Sequence, residues 1–235
     1  MMWNIAAEVV NMLFLYLGVV TLLAYLIGAI PVGAIIARIN KVDIHSAGSG
    51  KMGTTNVLRS VGRRAAALVL VGDVLKGVVA VLVARLIASW VELPGGRVDI
   101  AGFSISVTTL FSLFATLASV VGHVWSVYSR VILGRWYGGR GVATSMGAVF
   151  VINPFVILAA IAVGLPTMLL SKYVSLGSIL GAITAGIVLV IFVALGQMEG
   201  LSILYIVIPL FIIAAHRDNI SRLLNGTERK LGQRA

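Results

Sequence analysis

VVNMLFLYLGVVTLLAYLIGAIPVGAIIA, residues 9–37, carries no charged side chain over its whole length. About twenty mainly apolar residues are enough to cross a bilayer as a helix. The run therefore reads as a membrane span. Glu8 and Asn11 lie near its outer end, and Pro31 predicts a kink in its inner half because proline has no N–H to give a helix. It is too long, and lacks the basic leader, for a cleaved signal peptide.

The pattern repeats outward from this stretch. A second span is predicted over Ala65–Trp90, carrying Asp73, Lys76 and Arg85, and a third over Phe103–Tyr128. Between them Val91–Gly102 reads as an outer loop with a turn at Pro94-Gly95-Gly96. The apolar stretch Gly141–Leu170 is interrupted by Asn153-Pro154 and reads as two shorter spans. A sixth span follows over Leu176–Leu195 and a short seventh over Leu201–Ala215. The chain is 60% hydrophobic and 11% charged, whereas a soluble domain carries about 25% charged residues. The expectation is an all-α integral membrane protein: one polytopic bundle of about seven transmembrane helices, forming a single unit over residues 1–235.

Charge sets the sidedness. Fifteen of the eighteen Lys and Arg fall in Arg38–Arg64, Arg130–Arg140, Lys172 and Arg217–Arg234. Basic residues concentrate in cytoplasmic loops, so the four regions belong on one side. Seven spans then put the N-terminus outside and the C-terminus in the cytoplasm, as in a multi-pass membrane protein. The net charge of +10 is parcelled among loops between apolar runs, which argues against nucleic acid and for anionic lipid headgroups. With no cysteine in the chain, disulfides and thiolate metal sites are excluded.

Ala47-Gly48-Ser49-Gly50-Lys51-Met52-Gly53-Thr54-Thr55-Asn56, with Arg59 close behind, is a polar glycine-rich loop at the inner end of the first span. Glycines let backbone N–H groups converge on an anion, and the hydroxyls, amide and cations around them suit a phosphate. Gly138-Gly139-Arg140-Gly141 is a second such turn leading into a helix, although a plain cytoplasmic connector would also obey the charge bias. His216 and Asn219 stand three apart, so one helical face can present both. Asp73 and Lys76 lie one turn apart in the second span, where ion pairs are costly and are structural or functional. His123 sits near the inner end of the third span and His45 reads as surface. Ser175 at the start of the sixth reads as a helix cap. No nucleotide P-loop, no Gly-x-Ser-x-Gly elbow, no zinc-like spacing and no His-x4-Asp signature is present. Two phosphate-like cradles without an evident nucleophile suit a substrate that brings its own activated group.

These residues bring a family into view. Gly48-Ser49-Gly50-x-x-Gly53-x-Thr55-Asn56-Val57-Leu58-Arg59 resembles the first motif of the membrane acyl-phosphate:glycerol-3-phosphate acyltransferases, the PlsY family. Asp73-Val74-Leu75-Lys76-Gly77, Gly122-His123-Val124-Trp125-x-Val127 and Tyr173-x-Ser175-Leu176-x-Ser178 resemble further segments. Gly138-Gly139-Arg140-Gly141-Val142-Ala143 resembles the second motif. His216-Arg217-Asp218-Asn219-Ile220-x-Arg222-Leu223 and Asn225-Gly226-Thr227-Glu228 resemble the third motif and its tail. The resemblance covers residues 22–231.

It implies seven spans, a cytoplasm-facing site, acyl phosphate and glycerol 3-phosphate as substrates, membrane lipid as surroundings, and no cofactor, metal or required protein partner. Carried over by residue, Ser49, Gly50, Gly53, Thr55 and Asn56 would cradle a substrate phosphate, first assigned to the acyl donor. Arg59 would clamp phosphate, and Arg140 would neutralise that of glycerol 3-phosphate. His216 and Asn219 would orient the glycerol, and Glu228 would brace the tail. Gly48, Lys51, Gly138, Gly139 and Ser178 join the binding set. The chain departs from the family pattern at Lys51 (usually Asn), Thr54 (usually Ala), Arg140 (usually Lys) and Ala29 (usually Ser). Arg for Lys keeps charge but changes geometry. The competing readings are a transporter of phosphorylated solutes and a low-activity membrane scaffold.

Overall fold

The structure, a computed structural model, describes residues 2–91, 96–100 and 102–233. The Glu92 and Pro94-Gly95 positions of the outer loop lie outside the described residues, as does the side chain of Glu8. The chain begins as α1 (Met2–Ala29), breaks at Ile30-Pro31, and resumes as α2 (Val32–Ile39). The break falls at the proline: Val32 N–H bonds back to the Ile30 carbonyl, as expected where the ladder loses a donor. After the first glycine-rich loop come α3 (Thr54–Ser60) and the long α4 (Arg63–Ala88).

The outer connection is not an irregular loop. Arg97–Ile100 (β1) and Phe103–Ser106 (β2) form an antiparallel hairpin with Arg97 opposite Ser106. The alternation Phe103-Ser104-Ile105-Ser106 has the period of a strand, so the third span starts later than its apolar run suggested. It begins at Val107, where the Ser106 hydroxyl accepts from the Thr109 N–H as an N-cap. Then follow α5 (Val107–Val124), α6 (Val127–Leu133), α7 (Val142–Ile152), α8 (Pro154–Ser171) and α9 (Val174–Ala194). A 3-10 helix, Gly200–Ile206, runs into α10 (Val207–Ala215), and α11 (Arg217–Leu224) ends the helical part.

Among the described residues, five helices are long and apolar enough to cross a membrane, and six if Gly200–Ala215 and Arg217–Leu224, bent by 51°, count as one span. Asn153-Pro154 does split the fourth apolar run, with Asn153 capping α8 through the Phe155 N–H. The resulting α7 has 11 residues, which makes it only about 16 Å long.

The packing is that of a membrane bundle. Apolar side chains such as Leu68, Leu75 and Leu82 on α4 and Phe14 and Leu22 on α1 point outward. Lipid offers them the same environment as a core, so helix association rests on close packing instead. Glycine supplies it at three crossings. A Cβ on Gly28 or Gly122 would overlap the facing backbone between α1 and α5. One on Gly77 or Gly147 would do so between α4 and α7, and one on Gly164 or Gly177 between α8 and α9.

Candidate active site

The first glycine-rich loop is shaped by one buried side chain. Asn56 Nδ2 donates to the carbonyls of Ala47 (3.0 Å) and Lys51 (2.9 Å), and its Oδ1 accepts from the Ser49 N–H (3.0 Å). Its amide is thus committed to the loop itself, which makes it a positioning residue. Gly48 and Gly50 take positive φ, 62° and 67°, conformations that a Cβ resists. Ser49 and Thr55 line the cavity, and their hydroxyls have no hydrogen-bond partner among the described residues.

The second loop is seated on the end of α5. A Cβ on Gly138 would strike the His123 and Val124 carbonyls, and one on Gly139 would strike the His123 ring. The Gly139 N–H donates to the His123 carbonyl (3.3 Å), and the Met52 N–H donates to that of Gly138 (3.4 Å), so the two loops touch. His45 is half-buried against Tyr137, ring centroids 4.3 Å apart, and ties them a second time. Beneath lies a buried network. Lys76 Nζ pairs with Asp73 at 2.9 Å and donates to the Ile30 carbonyl at 3.1 Å, the one exposed by the Pro31 break. The Asp73 carboxylate lies 3.5 Å from His123 Nδ1, which is 3.2 Å from the Thr144 hydroxyl. Asp73 and Lys76 therefore brace α1, α4, α5 and the second loop against one another.

The third element is the tail. Glu228 accepts from Ser175 Oγ (2.8 Å), Asn219 Nδ2 (2.7 Å) and Arg222 Nε (2.7 Å). Leu231 N–H donates to the Lys172 carbonyl, and Arg59 Nη2 to that of Arg229. Residues 225–231 thus form a strap from α11 across to the α8–α9 turn and α3. Burial opposes the charge on Glu228, but these hydrogen bonds outweigh it and hold its carboxyl below the usual glutamate range. Because a carboxylate only accepts, Asn219 must turn its Nδ2 to Glu228, which leaves its buried Oδ1 without a partner. The Ile212 carbonyl likewise accepts from His216 Nδ1–H (2.7 Å), so a neutral His216 ring keeps a lone pair on Nε2.

Loops, tail and helices enclose one cavity of about 890 Å3. Its polar end is lined by Lys51, Arg59, Arg140, Arg222 and Arg229 against Asp218 and Glu228. Among the described residues, the buried Nε atoms of Arg59 and Arg140 find no acceptor. Burial first, and then the charge of Arg140, push the Lys51 ammonium below its usual value, and burial does the same to Arg140. A buried cationic group with orphaned donors is completed by an anion. Gly141 leads into α7 with no side-chain cap, so the N-terminal end of that helix adds its positive pole. Ser178 Oγ donates to the Val174 carbonyl (3.0 Å) and lines the place where the polar end gives way to an apolar groove between α7, α8, α9 and α10.

Of the residues predicted to act or bind, all but Gly50 and Gly138 line this cavity; Gly138 lies under it as a seat, and Gly50 shapes the turn of the first loop against the His45 carbonyl. Reading by sequence missed the roles of Ser175, Arg222 and the Arg229 carbonyl. Ser175 and Glu228 are fifty-three positions apart, and nothing local to either marks the pair.

Residues 18–226 match the family described as glycerol-3-phosphate acyltransferase. A glycerol-3-phosphate acyltransferase of Clostridioides difficile (strain 630) is 40% identical over 221 residues, 92% of this chain and 96% of that one. This chain belongs to the glycerol-3-phosphate acyltransferase family. A second relative of that name, from Thermus thermophilus, is 40% identical over 91% of this chain and 94% of its own. Among solved structures, the glycerol 3-phosphate form of PlsY, an integral membrane glycerol 3-phosphate acyltransferase, superimposes with a TM-score of 0.73 at 36% identity, covering 92% of this chain and 96% of that one. The family's multi-pass membrane character agrees with the apolar helices of this chain.

Proposed function

We propose that this protein transfers the acyl chain of an acyl phosphate to the 1-hydroxyl of glycerol 3-phosphate, releasing lysophosphatidic acid and phosphate. The observation that carries the reading is the cavity itself: an uncompensated cationic end continuous with an apolar groove. Two phosphates and one acyl chain meet both needs. The hydroxyl oxygen bonds to the carbonyl carbon, the bond from that carbon to the bridging phosphate oxygen breaks, and the electron pair leaves with phosphate. The hydroxyl proton passes to a phosphate oxygen, so the protein has mainly to position two anions and offset their charge.

In this scheme Ser49, Thr55 and Arg59 hold the donor phosphate on a loop shaped by Asn56, and Arg140 faces that of glycerol 3-phosphate. His216 Nε2 and Asn219 Oδ1 are the free acceptors that orient glycerol hydroxyls. Glu228 straps the acceptor side. Neither a metal nor a cofactor has a step in this scheme. The site faces the cytoplasm of a bacterial inner membrane, with seven crossings made by α1–α2, α4, α5–α6, α7, α8, α9 and the 3-10 helix with α10. Support for that sidedness comes from the meeting of Lys51, Arg140, Lys172 and Arg222, one from each basic region, around one end of the bundle. The test is transfer from palmitoyl phosphate to glycerol 3-phosphate by the purified protein. Lysophosphatidic acid and phosphate in equal amounts support the reading. A folded protein that forms neither rejects it.

A further inference from the structure

The groove runs from its polar mouth to a packed apolar cluster. On α9, Ser178, Ala182, Ala185 and Leu189 all line it. Their spacing of three and four residues puts them on one helical face, so that single face runs from polar mouth to floor. Gly164, Ala160 and Val156 of α8, packed directly beside α9, make the adjoining wall, and Val149 and Ile152 of α7 with Ile208 and Ile212 of α10 line the rest. At the far end it is lined by Leu189, Tyr205 and Ile208, which pack with Leu113 into one buried cluster. Tyr205 is 3% exposed and its hydroxyl donates to the Thr109 carbonyl at 3.4 Å, so its ring cannot easily swing aside. Along the α9 face the small Ala182 and Ala185 give way to the larger Leu189.

Resting on the acyl-transfer reading, we propose that the depth of this groove measures the acyl chain, with Leu189 and Tyr205 as its floor and Ala182 and Ala185 as the positions that keep it open. From Ser175, which holds Glu228 at the mouth, to Leu189 is fourteen residue steps of α9, or about 21 Å at about 1.5 Å per residue. An extended chain with carbon–carbon bonds of about 1.5 Å near the tetrahedral angle advances about 1.25 Å per carbon. Counted from Ser175, the polar mouth and the groove that begins at Ser178 together accommodate about sixteen carbons, the carbonyl end lying in the mouth. Ala185 and Ala182 stand about 15 Å and about 10 Å from the same reference, the reach of about twelve and about eight carbons.

The experiment compares kcat/KM for octanoyl, dodecanoyl, palmitoyl and arachidoyl phosphate in the full-length protein and in Ala182→Leu, Ala185→Leu and Leu189→Ala. The expected wild-type profile peaks at palmitoyl and falls at least tenfold at arachidoyl. Ala185→Leu should move the peak to dodecanoyl, and Ala182→Leu to octanoyl, each with octanoyl transfer kept near the wild-type rate as proof of an intact polar end. Leu189→Ala should raise the relative rate of arachidoyl phosphate. A flat wild-type profile, an unchanged peak in all variants, or uniform loss at every length in both blocking variants overturns the ruler while leaving acyl transfer standing. A folded wild type that uses none of the four donors overturns acyl transfer itself and the ruler with it.

Discussion

The two ends of this bundle both carry charged clusters, and they differ in whether the charges are satisfied. At the outer end, Arg97 donates to Glu199 (2.8 Å) and to the Ser104 hydroxyl and carbonyl, while Glu199 also accepts from the Ser106 N–H and hydroxyl. Arg97 and Glu199 thus satisfy each other and their neighbours, and the result is a clamp between the β1–β2 hairpin and the 3-10 helix. At the inner end the strap is equally satisfied through Glu228, but Arg59, Arg140 and Asn219 keep buried atoms without partners. A closed set of hydrogen bonds holds a fold together. An open one in a cavity is a place for a ligand, since leaving polar atoms buried and unpaired costs about 1–3 kcal/mol each.

The sharpest way to break this contrast is Arg140→Ala. It should lower kcat/KM by about 100-fold or more, the scale of losing one preorganised charge-stabilising donor, with the protein still folded by thermal unfolding. Near-normal turnover would remove Arg140 from the site. His216→Ala should raise KM for glycerol 3-phosphate about tenfold and leave that for the donor within about twofold, since only a hydroxyl acceptor is lost, at about 1.4 kcal/mol per tenfold. Equal effects on both substrates would reject the acceptor role.

Glu228→Gln tests the satisfied part of the inner end. The folded pKa of Glu228 is depressed. Its contribution is therefore fully present above the ordinary glutamate value of about 4.3 and is lost as pH falls through the lower folded value. Hydrogen exchange over residues 226–231 should stay slow in the wild type at neutral pH and quicken below that value. In Glu228→Gln it should be faster at neutral pH and lack the acid step, and an acid step of equal size in the variant would place the strap's pH response elsewhere. The smallest effect belongs to the outer clamp. Arg97→Ala should leave kcat/KM within about twofold and lower stability by about 1 kcal/mol or less, as exposed ion pairs do. A large activity loss there would dissolve the distinction between the two ends.

Much of the arrangement was legible because it depends on local chemistry. Pro31 and Asn153-Pro154 broke helices where a missing N–H predicts it. Gly48 and Gly50 marked a turn of positive φ, and Gly138 and Gly139 the place where the second loop presses on the end of α5. Other features were hidden for reasons just as physical. The hairpin at Arg97–Ser106 straddled the predicted outer loop and the start of the third apolar run, where Phe103–Ser106 was also compatible with a helix start, and its pairing and its tie to Glu199 settle the difference. Asn56 had the composition of a phosphate ligand, and its three loop partners turned it into a support. Ser175 looked like a cap until Glu228 arrived from the tail.

By itself, then, the sequence determined the membrane character, the places of the helix breaks and the chemical character of the two loops. Each follows from hydropathy, from missing donors or from absent Cβ atoms within a few residues. Only the tertiary structure decided which cations remain unpaired, which way Asn219 and His216 turn their free acceptors, and how deep the apolar groove runs. Those properties belong to side chains brought together from distant positions, where a partner's presence or absence is a matter of ångströms in space.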